Sequence, residues 1–504
     1  MNPTLKNICR ITVCSMALLS VAGPIAAQQP LVLTMERALD LATEGNPDMK
    51  RAFLSMEQNR ELLIAQKASL KSKFSLDLTP ASYDKSRQYE TFNTQWYTGE
   101  NFRASGRFSI TQPILWTDGT ISLIDDFGWQ YSSVERQGGS YVDKAFNNNL
   151  YLSLNQPLFT YNRQRMQLKQ IELDYENSHI AYALRRLSME KEITQQFYNL
   201  FLAQEQLKIG EEALRSAQAN YEIIKGMVEG DLSPRSELYQ AELNLAQSQS
   251  AMANYKVDLA NQQDAFLKML GLPLDQEVSV LAVINDQEKI DVDVRYAIDH
   301  AMDSRLELRQ REIELEKLDQ QMVVTKASDE FKGNLALSFG LMGDNEKLSR
   351  IYKNPTQNPR VELTFSVPIF DWGAKKARIK AQERAIESAN LDFVEARKDI
   401  EIDILRTSRS LDNQWQQINI AKQSVRNAQF TFDLNTIRYR KGEIDGMNMR
   451  QYEDQLSSQK MDYYRTIINY KLELLNMKIL TLYDFENKAQ IVPITEEKRK
   501  EKLK

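Results

Sequence analysis

Asn155-Gln156-Pro157-Leu158-Phe159 and Ser366-Val367-Pro368-Ile369-Phe370 are one phrase written twice. Each closes a segment in which apolar and polar residues alternate, and each opens a long stretch nearly free of glycine and proline. Both stretches end at a glycine, Gly230 or Gly442, after which a second helical pattern follows. The prolines lie 211 positions apart and the glycines 212, so register survives the whole interval. That is the signature of a tandem duplication.

Four segments alternate with period two: 74–79, 150–159, 334–341 and 361–370. In the third, Leu335, Leu337, Phe339 and Leu341 share one face and Asn334, Ala336, Ser338 and Gly340 the other. In the fourth, Val361, Leu363, Phe365 and Val367 oppose Glu362, Thr364 and Ser366. One face suits lipid and the other water. A half-buried sheet in a soluble protein alternates in the same way, but strands of about nine or ten residues have the length that crosses a bilayer.

The stretches that follow are helical. Residues 374–441 hold 68 positions without glycine or proline, and 161–225 contain only Gly210. At ~1.5 Å per residue such a helix runs on the order of 100 Å, which no compact domain encloses. Leu200, Leu207, Leu214, Tyr221 and Val228 recur every seven residues in the first copy, as do Ile418, Val425, Phe432 and Tyr439 in the second. The returning pattern Leu238, Ala241, Leu245, Ser248, Met252, Tyr255, Leu259, Gln262, Phe266 and Met269 steps by threes and fours, with small and polar residues at several positions, so the helices are expected to pair as antiparallel coiled coils. Gly230 and Gly442 are expected in the left-handed conformation that ends a helix, and Gly271-Leu272-Pro273 stops the first return helix.

Residues 1–27 read as a secretory signal: Lys6 and Arg10 are basic, residues 11–21 are mostly apolar, and Ala26-Ala27 offers small residues for cleavage. Both cysteines, Cys9 and Cys14, fall inside it, and neither suits lipidation. Without Lys6 and Arg10, the 64 basic residues become 62 against 69 acidic ones, a charge of −7 that gives no reason to expect nucleic acid. Past residue 27 no run of about 18 apolar residues exists, so any membrane span has to be a closed barrel.

The copies differ in one place. Residues 38–78 align with 297–337 at an offset of 259 whereas later parts align at 211, so the first copy carries 48 extra residues between its strands. That insert, roughly 80–149, holds Trp96, Trp116, Trp129 and another strand ending, Gln112-Pro113-Ile114-Leu115. It is either an added hairpin of the barrel or an external loop, and the loop is the expectation. The division expected is 1–27 signal, 34–73 opening helices, 74–160 first strands with the insert, 161–273 first helical hairpin, 274–332 connecting layer and second opening helices, 333–371 second strands, 372–485 second helical hairpin, and 486–504 charged tail.

The order and duplication of three features resemble the TolC-like outer-membrane efflux proteins: Leu33-Thr-Met-Glu-Arg-Ala-Leu39 leading to Glu44-Gly-Asn-Pro47, Gln156-Pro-Leu-Phe159 repeated as Val367-Pro-Ile-Phe370, and the glycine-centred turns. The resemblance spans nearly the whole chain after residue 27. It implies a mixed, mainly α fold in which long antiparallel coiled-coil helices form a periplasmic α-barrel below a transmembrane β-barrel, shared by a homotrimer with four strands per subunit. It also implies an outer-membrane location, a periplasmic adaptor (membrane fusion) protein at the helical tips, an inner-membrane pump of RND or ABC type, and no cofactor. Carried onto this chain, the adaptor contacts are Gly230, Asp231, Leu232 and Ser233 in one turn and Gly442, Glu443, Ile444 and Asp445 in the other. Many relatives place an aspartate at the tunnel mouth, where this chain has Asn448 and, in the first copy, Ser236; Asp445 or Glu237 would supply charge nearby. Pro234 makes the two turns unequal.

Phe159, Tyr161, Phe370 and Trp372 follow the strand-ending prolines, either as an aromatic belt at the lipid boundary or as staples between helix and sheet. Met447 and Met449 near the second tip raise soft-metal export, but 17 methionines are spread through the chain and seam packing accounts for them. No HExxH, GxSxG or P-loop motif occurs, and His179 and His300 sit in helical stretches. The reading is a passive exit duct for drugs or other substrates of an efflux system. The alternatives are the outer component of a type I protein secretion system and, in another class, a secreted coiled-coil scaffold.

Overall fold

The computed structural model describes residues 31–90, 95–136, 139–282, 284, 288–441 and 443–491. The first copy comprises β1 (Leu31–Leu33), α1 (Met35–Gly45), α2 (Pro47–Ser69), β2 (Lys73–Glu90), β3 (Gln95–Ile114), β4 (Gly119–Arg136), β5 (Gly139–Leu158), α3 (Arg163–Glu229) and α4 (Arg235–Leu270). After β6 (Val278–Val280), the second comprises α5 (Val294–Ser304), α6 (Leu306–Ala327), β7 (Lys332–Asn345), β8 (Thr356–Gln357), β9 (Arg360–Ser366), α7 (Ala374–Arg440) and α8 (Gly446–Thr481). The chain closes on β10 (Tyr483–Asp484) and β11 (Ala489–Gln490). Helix starts repeat at 259 for α1/α5 and α2/α6 and at 211 for α3/α7 and α4/α8. The expected signal segment, residues 1–27, and the end of the expected charged tail lie outside the described residues.

Local chemistry sets these boundaries. Thr34 caps α1 by accepting from Arg37 N, while Asn46 accepts from the Asp48 and Met49 amides and Pro47 takes the first position of α2. The 67-residue helices α3 and α7 each turn into a 36-residue return helix. Every seam position named above is buried or half-buried in these pairs. Burial is deepest midway along, where Phe197, Leu200 and Phe266 pack against the parallel pair β1–β6, and where Ile404, Tyr470 and Met477 pack against Ala297 and Ala301. The chain after α4 thus returns to the start of the first copy, Val278–Val280 pairing with Leu31–Leu33.

Charge joins the copies further up. Arg309 of α6 pairs with Glu176 of α3 at 2.8 Å, Lys169 with Glu316 at 3.4 Å, and Gln310 donates to Asn177 at 3.0 Å.

The sheet corrects two expectations. All strands are antiparallel in the order β2-β3-β4-β5-β7, with β8 and then β9 pairing successive stretches of the same β7 edge. That makes six strand positions rather than four. The insert is the hairpin β3–β4, not a loop: β3 pairs β2 from Thr111 to Gln95, and β4 pairs β5 from Thr120 to Arg136. The reason is the third strand ending. Gln112 Nε2 donates to Leu70 O (3.1 Å) and Pro113 O (2.8 Å), as Gln156 Nε2 donates to Thr117 O (2.7 Å) and Pro157 O (2.8 Å). Each glutamine clasps the carbonyl of a lower turn, so Gln-Pro sets the lower edge of both descending strands, β3 and β5.

Candidate functional site at the tips and the barrel junction

At the first tip the structure departs from expectation. Gly230 is right-handed (φ −89, ψ 11), and Asp231 takes the left-handed position at φ 57. Leu232 N bonds Met227 O at 2.8 Å and Asp231 N bonds Val228 O at 3.1 Å, the two bonds that close a Schellman turn around a left-handed residue. The second tip has the matching bond, Glu443 N to Arg438 O at 3.0 Å. With helices offset by 211, the counterpart of Asp231 is Gly442, which lies outside the described residues, and the counterpart of Gly230 is Lys441. The spacing of 212 between the glycines is thus a near miss, not an equivalence.

The other tip residues fall as follows. Leu232 is 79% exposed and Ile444 half-buried. Ser233 donates to Glu237 Oε2 at 2.6 Å, and Glu443 pairs with Arg438 at 3.4 Å. Asp445 caps α8 by accepting from Asn448 N at 2.8 Å, leaving the Ser236 and Asn448 side chains exposed. Both carboxylates expected to charge the tunnel mouth are therefore engaged in local hydrogen bonds.

Above the tips the structure brings together residues that no motif announced. A cleft of about 310 Å³ between α3–α4 and α7–α8 is lined by Asn220, Asn244 and Gln247 from the first copy and by Tyr439, Arg450 and Glu453 from the second. Tyr439 Oη donates to Asn220 Oδ1, and Arg450 donates to buried Asn244 at 2.6 Å and to Gln247. Burial raises the Glu453 carboxyl above the ordinary carboxylate range, opposed by a Ser216 hydrogen bond and the Arg450 charge and reinforced by Asp454. These contacts clasp one helical hairpin to the other. Their partners stand more than 200 positions apart, so no local pattern could pair them; of these residues only Tyr439 stood out in the sequence, as a seam position.

The opposite ends of α3 and α7 meet the sheet. Asn162 caps α3 by accepting from Arg165 N at 2.8 Å, and its Nδ2 donates to Leu115 O at 2.5 Å. Asp118, buried in the β3–β4 turn, accepts from Arg163 Nε at 2.9 Å and from Gln164 N at 3.1 Å. At the start of α7 Asp371 accepts from Lys375 N at 2.7 Å and Gly373 N at 2.9 Å, which holds its carboxyl below the usual range, while Lys375 pairs with Glu330 at 3.2 Å and Arg378 with Asp329 at 2.6 Å. Of the four aromatics, Phe159, Phe370 and Trp372 are exposed and Tyr161 is half-buried. Phe159 also rests against Phe331, which stacks on Phe365, and Phe370 meets Trp372 edge-on at 4.8 Å.

Strand register sorts the sheet into two faces. Phe74, Ile110, Leu123, Leu152 and Phe339 stand opposite one another across five strands, whereas Lys73, Thr111, Ser122, Ser153, Ser338 and Arg360 form a polar row across six. Among the described residues no helix is long and apolar enough to cross a membrane, and no group of three or more His, Cys, Asp or Glu is placed to hold a metal.

This architecture matches solved outer-membrane channels. The Campylobacter jejuni CmeC outer membrane channel is 17% identical over 93% of this chain and 89% of its own, with a TM-score of 0.67. The Neisseria gonorrhoeae MtrE outer membrane channel in its open state is 15% identical over 90% of each chain at 0.65, and VceC from Vibrio cholerae 12% identical over 91% and 97% at 0.64. No curated protein matches the chain. The model of the outer membrane efflux protein family matches residues 120–272 and 297–474, one span in each copy. With more than half its length matched in two repeats, and with the helical and sheet layers that the family's channels share, the chain belongs to the outer membrane efflux protein family.

Proposed function

We propose that this protein is the passive exit duct of a tripartite export system. Three copies join, and an inner-membrane pump supplies the energy through a periplasmic adaptor that docks on the helical tips. As a member of its family the chain sits in the outer membrane with its helices in the periplasm. The observation that carries the proposal is the pairing of two 67-residue helices with a sheet whose apolar rows face away from its polar ones. Rods of on the order of 100 Å reach from the outer membrane across a periplasmic gap, and a sheet with one lipid-compatible face anchors them.

The tips give the adaptor something to hold. Leu232 is exposed beside the turn, a small apolar anchor of the kind a partner groove accepts. Leu232→Arg or Ile444→Arg, and a bulky replacement of Gly442, are expected to abolish export in cells while trimers still assemble on native gels. Normal export by all three variants would remove the tips from the docking role.

A further inference from the structure

We infer that the β3–β4 hairpin is part of the pore wall, so that three chains close a ring of eighteen strands. The free edges of β2 and of β8–β9 are then the seam on which a second copy of this chain docks. The inference rests on the exit-duct reading and deepens it.

The hairpin cannot leave the sheet without dividing it. β2 reaches β5 only through β3 and β4, which are paired along nearly their whole lengths on both sides. Its side chains obey the same two faces as the other strands: Ile110 and Leu123 fall in the apolar row, Thr111 and Ser122 in the polar one. On the polar face Arg107 pairs with Asp126 at 2.5 Å across the hairpin, an ion pair placed where water would be. At its foot, Asp118 and Leu115 O are bonded to the first turn of α3, so the hairpin shares the anchorage of the strands beside it.

The two edges fit each other. Six strand positions per chain is an even number, so β9 of one copy runs antiparallel to β2 of the next, as closure of an up-and-down barrel requires. β9 offers seven residues, Arg360–Ser366, and β2 offers seven, Lys73 to Thr79, before its register shifts. β2 begins and β9 ends at the level of the helices, and Phe74, Leu76 and Leu78 lie on the same face as Val361, Leu363 and Phe365. An edge left bare in lipid would strand its backbone groups, and a second copy satisfies them. With strands ~4.8 Å apart and tilted ~40°, eighteen close a ring about 36 Å across, against about 24 Å for twelve. Such a barrel does not sieve cargo; selection falls to the helical tunnel below it.

The test uses the full chain, whose only cysteines are Cys9 and Cys14 in the signal segment. Single cysteines replace Ser105 and Gln130 on the polar face of the hairpin and Phe108 and Leu123 on its apolar face. In trimers held in lipid, a membrane-impermeant maleimide is expected to label the first pair and lose access to the second, which only a lipid-soluble maleimide reaches. A Ser75→Cys, Thr364→Cys double variant is expected to give disulfide-linked trimers, and a cryo-EM map to show eighteen strands. Labelling of all four positions by the impermeant reagent, with a twelve-stranded wall, overturns this inference and leaves the exit duct standing. A chain that stays monomeric and passes no ions in lipid overturns both.

Discussion

Arg450 shows what a single side chain does in this duct. It reaches from α8 to Asn244 and Gln247 on α4 while pairing with Asp454 at 3.6 Å, so one cation holds two helical hairpins together. Hydrogen bonds to a charged group contribute about 1.5–3 kcal/mol each, and removing this one leaves buried Asn244 Oδ1 only the Gln240 amide, at 3.2 Å on its own helix. Arg450→Ala combined with Tyr439→Phe is therefore expected to loosen the clasp, and single-channel recording in planar bilayers should show higher conductance than the parent. Glu453 adds a pH dependence to the same contact. Burial lifts its pKa, so the proton is held more tightly in the clasped state than when the hairpins separate. Its contribution is complete below the ordinary glutamate range and fades as pH climbs through the raised value. Conductance should thus fall on acidification across that window, and Glu453→Gln should flatten the response.

Among the elements, the helix ends decide how the copies pack. Gly271 is left-handed at φ 71, and a β-carbon there would collide with Gly45 O, just as one on Gly45 would collide with Leu270 O. The ends of α1 and α4 therefore meet backbone to backbone, locked by Asn46 Nδ2 donating to Met269 O at 2.8 Å. Gly271→Ala is expected to cost about 2 kcal/mol or more and lower the thermal unfolding midpoint, whereas Gly230→Ala, in a right-handed turn, should leave it unchanged. This contact explains why Glu44-Gly-Asn-Pro47 stood out as a motif. The long helices were equally legible, because seam residues recur every seven positions with nothing to break them. The hairpin was not. Asp125 sits on the apolar face between Phe108 and Leu150, and Gly106 and Ala104 weaken the alternation of β3, so period two is visible only once register is known. The clasp residues were hidden for another reason: polar side chains in a seam look like ordinary interruptions until their partners on the other hairpin are in view.

At the scale of the whole molecule, one protomer leaves too much apolar surface bare to be complete. Leu391, Ile402, Ile420 and Leu434 of α7 are each more than half exposed and fall within about 40° of one another around the helix. A stripe that long on a single rod calls for a neighbouring rod. Ile402→Glu with Ile420→Glu is expected to yield monomers by native mass spectrometry while the helical circular dichroism persists. The bolting of α3 to the β3–β4 turn has a consequence for such an assembly. Arg163, Gln164 and Asn162 fix one rod of each chain to its membrane ring, and α7, which begins at Gly373, left-handed at φ 82, is capped by its own Asp371 and tied through Lys375 and Arg378 to Glu330 and Asp329. If the mouth opens by turning rods about their upper ends, each pivot is an ion pair, Arg163 with Asp118 on one rod and Arg378 with Asp329 on the other.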